Sequence, residues 1–169
     1  MKEPAELNKH HRAEALKERV YVTFTALAVV LALQSHSEES LTAGQAAVTL
    51  AITVIGTLMA VFVADLISHL AVHEKTPTRP ELLRMAQVSF GAFAAAVLPL
   101  IFIALAGLGW WEITTALQAA TAALVLTLVL IGYLAIRRIH MAWWKRLIAL
   151  VAEFVLGLAV IGLELIAHG

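Results

Sequence analysis

The chain has 169 residues, 61% of them hydrophobic, a mean hydropathy of +0.87, no net formal charge and no cysteine. Soluble domains have about 45–50% apolar residues, so most of this chain reads as solvated by lipid, and the neutral charge balance argues against nucleic acid as a partner. Without cysteine there are no disulfides, iron–sulfur clusters or thiolate metal sites.

Residues 1–19 are charged and carry one early proline, Pro4; they read as a short amphipathic surface helix on the cytoplasmic side. No cleavable signal peptide is expected, because the first apolar run starts only after this segment. Five apolar segments follow, over residues 20–34, 41–73, 82–108, 110–136 and 143–167. A membrane-crossing helix needs roughly 20 apolar residues. The first segment is short unless its Tyr21 end lies among headgroups, and the second is longer than a bilayer requires. The expected fold is therefore all-α, a polytopic membrane protein with five transmembrane helices over residues 20–169.

All twelve Lys and Arg lie between Lys2 and Arg19, Lys75 and Arg84, or Arg137 and Arg146. The remaining loops hold Glu38, Glu39 and Glu112 and no basic residue. Basic loops stay cytoplasmic. Five crossings then place the N-terminus inside and the C-terminus outside, in the plasma membrane.

Small residues recur at helical spacing. Thr49, Thr53, Thr57, Ala60 and Ala64 form one stripe, Gly91, Ala95 and Pro99 another, and Gly157 and Gly162 a third. Close backbone approach drives helix association in lipid, so these are expected to be packing seams. Pro99 deletes a backbone hydrogen bond and is expected to kink its span.

Ionisable groups within a membrane are costly and mark functional candidates. Asp65, His69 and His73 follow one another four residues apart, with Ser68 and Glu74 alongside, so one carboxylate and two imidazoles share a helix face. Such donors suit Zn, Fe and Mn. The plain alternative is a helix leaving the membrane with histidines at its C-terminus, where cations are favoured. Glu153, in the last segment, is either a carboxylate on an ion pathway or a paired structural group. Glu6, His10, Glu14 and Glu18 repeat the four-residue spacing near the N-terminus. That stripe is either a collector of cytoplasmic metal or a surface helix laced by charge pairs worth a few tenths of a kcal/mol each. No nucleophile with a plausible base, phosphate loop or HExxH motif is present, so an enzyme is not expected.

The order of these features resembles the vacuolar iron transporter family. The match rests on His10-His11-Arg12 with Leu16 to Arg19 ahead of the first span, and on Ala64-Asp65-Leu66-Ile67-Ser68 with Glu74 downstream. Leu98-Pro99-Leu100 in the third span, Gly132, and the Gly157 to Gly162 spacing add to it. The chain departs from the family in having no acid between Thr23 and Ala28 and Val61 where a metal-ligating methionine is expected. Its loop at 74–80 is also too short for the family's Glu-rich cytoplasmic helices. The resemblance implies a homodimer that exports iron or manganese from the cytoplasm in exchange for protons, with no permanently bound cofactor. On it, Asp65 assisted by Glu153 binds the divalent cation, while His69, His73, Glu74 and the Glu6, His10 and Glu14 stripe collect it. The competing expectation is a non-transporting scaffold or accessory subunit that keeps the five-helix fold.

Overall fold

The computed structural model describes residues 3–35 and 41–137 and four isolated positions beyond, 144, 151, 155 and 162, each helical. The expected last span, with Glu153, Gly157 and most of its neighbours, lies outside the described residues, as does the loop at 36–40.

Every element described is an α-helix. α1 runs Glu3–Ser35, α2 Ala43–His73, α3 Arg79–Gly91, α4 Ala94–Gly107 and α5 Ile113–Arg137. Two of them, α2 and the Ile113–Ala135 part of α5, are long and apolar enough to cross a membrane. α3 and α4, bent by 40° at their junction, pass the same test as a pair.

α1 continues through residue 19 without a break, so the expected surface helix and first apolar run are one 33-residue helix. The reason is local. After Pro4, tolerated in a first turn, no glycine or proline occurs until beyond Ser35. α2 starts at a capping box in which Thr42 Oγ1 accepts from Gln45 N–H and the Gln45 side chain accepts from Thr42 N–H. This box satisfies donors that the first turn leaves open.

The third apolar segment breaks at Ala92–Phe93, with a 40° bend, while α4 runs unbroken past Pro99, which sits buried inside it. Ala92 N–H donates to Ser89 O and Phe93 N–H to Phe90 O, three residues back, which tightens the backbone there to 3₁₀ geometry.

The core is a column of side chains four residues apart on three helices. α1 supplies Val22, Ala26 and Val30; α2 supplies Ala46, Leu50, Val54 and Leu58; α5 supplies Ala116, Ala120, Leu124 and Leu128. Ala96 and Ile103 of α4 complete it. At one end Gln34 of α1 donates to Leu117 O (3.1 Å) and to Thr121 Oγ1 of α5, tying those helices together.

The opposite side of α2 presents Val48, Ile52, Ile55, Met59, Val63 and Ile67 outward. The small-residue stripe of α2 is also not a seam within this bundle: Thr49, Ala60 and Ala64 are exposed. Its threonines are satisfied along their own helix, Thr53 Oγ1 donating to Thr49 O and Thr57 Oγ1 to Thr53 O.

Candidate functional site

The C-terminal half of α2 carries Asp65, His69 and His73 on one face, as their spacing requires. α3 returns over that face after a short turn. Thr78 caps α3, its backbone N–H and its hydroxyl both donating to Glu81 Oε2 at 2.7 Å. These bonds hold the exposed Glu81 carboxyl below the ordinary carboxylate range, with His69 and His73 contributing through space.

α1, α2 and α3 together enclose an open cleft of about 490 Å³ at this end of the bundle. Its polar lining is Glu14 from α1, Asp65, Ser68, His69 and His73 from α2, and Glu81 and Arg84 from α3. The two stripes read from the sequence therefore meet: Glu14 of the first faces Asp65, His69 and His73 of the second. The rings of His69 and His73 lie 4.5 Å apart, tilted by 46°.

Glu74 departs from that group. It is the C-cap of α2, with φ at 51° and its N–H donating to Leu70 O, and its exposed side chain does not line the cleft. Glu6 and His10 sit in the first turns of α1, their side chains outside the described residues; Glu153 lies outside them altogether. Among the described residues, no three His, Asp or Glu side chains converge closely enough to hold a metal ion.

At the inner limit of the cleft lies a group that sequence reasoning left in the surface stripe. Glu18 is only 1% exposed, and Asp65 and Ser89 are the side chains against its carboxyl. Neither Glu18 oxygen has a hydrogen bond of acceptable geometry, nor does the buried Ser89 hydroxyl. Beyond Glu18, Val22, Ala26 and Val30 carry the same α1 face into the apolar core. That continuation is the signal that would have placed Glu18 inside: the stripe 6, 10, 14, 18 extends in steps of four along the buried face.

The chemistry available is that of carboxylates and imidazoles opening to solvent at one end of an apolar bundle. Carboxylate and imidazole are donor types that suit divalent cations, and the Arg84 guanidinium shares the lining with them. No protein family, curated protein or solved structure matches the chain.

Proposed function

We propose that this protein is a five-crossing membrane transporter that loads a divalent cation, of the iron or manganese kind, from the cytoplasm and exchanges it for protons. The observation that carries the reading is the cleft: Glu14 of α1 joins Asp65, His69 and His73 of α2 and Glu81 of α3 at one end of a bundle with an apolar core. α2, at 31 residues, is about 46 Å long, against a hydrocarbon core of about 30 Å. Its surplus length lets Asp65, His69 and His73 stand at the inner membrane face, where a cytoplasmic ion arrives. A homodimer, as the resemblance implies, has the exposed small-residue face of α2 at its disposal for close helix contact.

The test is cation flux in proteoliposomes under a pH gradient, across a panel of divalent ions. Asp65→Asn is expected to lower flux at least tenfold with assembly intact by size-exclusion chromatography. Full flux in that variant removes Asp65 from the pathway.

A second reading has its own support. Past Glu18 the described core is mainly apolar, with Leu27, Leu50, Leu58 and Leu124 all buried. That suits a non-transporting scaffold as well as a transporter closed on its outer side. Absence of flux for every ion from the wild-type protein, in liposomes where it is correctly inserted, selects the scaffold.

A further inference from the structure

We propose that Glu18, Asp65 and Ser89 form an oxygen-ligand site for a divalent cation at the closed end of the cleft. As the place where the cation is held, it rests on the reading of the cleft as a cation entrance; as a binding site it stands on burial and geometry.

Three helices contribute one oxygen-bearing side chain each around the Glu18 carboxyl. α1 brings Glu18, and Asp65 of α2 and Ser89 of α3 each lie beside its carboxyl. Two of the three are sealed from solvent, and the Glu18 oxygens and Ser89 Oγ have no hydrogen-bond partner. A buried polar group left unsatisfied costs about 1–3 kcal/mol, and a charged one more. Asp65 aggravates the cost, because two carboxylates facing one another at low dielectric repel.

Each penalty has the same remedy. A cation bound between the carboxylates supplies the missing partner to Glu18, accepts a lone pair from Ser89 and cancels the repulsion. Charge selects its valence: two carboxylates are neutralised by a dication, leaving no net charge buried. Donor type selects its class. All three ligands are oxygen, which suits Mg²⁺, Mn²⁺ and Ca²⁺. The imidazoles of His69 and His73 stand on the cleft wall, one and two turns further out than Asp65 on α2. Asp65 itself lines the cleft, so water can complete the coordination from that side. Lys17 acts on Glu18 only through space, from an exposed position.

The test uses the full chain purified in detergent at neutral pH, with Mn²⁺ as the probe and its free-ion paramagnetic resonance signal as the readout. The wild type is expected to remove Mn²⁺ from solution at one site per chain. Glu18→Gln and Asp65→Asn should each weaken binding at least about tenfold, the loss seen even for groups that only support a metal ligand. Glu112→Gln, at the other end of the bundle, should leave it unchanged. Ser89→Ala removes an orphaned hydroxyl and folds at least as well as the wild type. In it, the rise in thermal midpoint on adding Mn²⁺ should shrink.

Wild-type affinity in both Glu18→Gln and Ser89→Ala overturns the site, as does a wild type that binds no Mn²⁺, in which case the carboxyl pair holds a proton alone. Mn²⁺ bound at Glu18 without flux in liposomes sinks the transport reading and leaves the site. Flux and Mn²⁺ affinity both indifferent to Glu18→Gln sink the site and leave transport.

Discussion

Glu74 holds the left-handed backbone conformation that ends α2, at φ 51°. That conformation costs an L-residue roughly 1–2 kcal/mol, and glycine escapes the cost at the expense of a more flexible unfolded chain. Glu74→Gly is therefore expected to stabilise the protein by about 0.5–1 kcal/mol in denaturant unfolding in detergent. A destabilised variant would show that the Glu74 side chain has a role beyond the cap. Asp65, His69, His73 and Glu14 were legible from sequence because a four-residue spacing puts side chains on one helix face whatever the helix packs against. Glu18 was legible in principle, through Val22, Ala26 and Val30, but only to a reading that follows the charged stripe across the boundary into the apolar run. Glu81, Arg84 and Ser89 were not legible as site residues. Their part depends on α3 returning over α2 rather than over another helix, and no local pattern encodes that choice.

Helix ends and helix breaks divide in the same way. The capping boxes at Thr42–Gln45 and Thr78–Glu81 are short-range motifs that a sequence displays directly. The bend at Ala92–Phe93 is not, because Pro99 is the stronger local signal and yet α4 runs unbroken past it, with Pro99 itself buried. The start of α3 is sensitive to acid. Glu81 is held below its ordinary range by Thr78 in the folded state, so its contribution is present above the unfolded carboxylate pKa and is lost as pH falls through the lowered folded value. Amide protection at Thr78 and the first turn of α3, taken relative to the unstructured exchange rate at each pH, should accordingly fall in acid, below the usual glutamate range. Glu81→Gln keeps an acceptor that does not titrate, so in that variant the acid loss of protection should vanish. Exchange with the same acid dependence in both proteins would mean that another group controls the cap.

For the molecule as a whole, the arrangement of charge constrains orientation more tightly than any single helix does. Glu14 and Arg84 line one cleft, and Lys75 and Arg79 lie in and after the turn from α2 to α3 that borders it. Two of the three basic segments therefore share one end of the bundle. Glu112 precedes α5 at the opposite end, where Gly107 approaches Ala43 and Gln34 meets Thr121. Between the ends runs a belt of outward apolar side chains, among them Ile52, Met59, Val63, Ile101 and Leu126. On the reading proposed above, a bilayer surrounds that belt and the basic segments, which prefer the cytoplasm, put the cleft inside. The absence of native cysteine makes this directly measurable, since a single introduced thiol is the only one in the chain. In intact cells, a membrane-impermeant maleimide should label Glu112→Cys at once and Thr76→Cys only after permeabilisation. The reverse pattern would turn the cleft outward and make the protein an importer's frame. Labelling of both thiols from outside would mean that the apolar belt does not separate the two ends, and the membrane reading would fall with it.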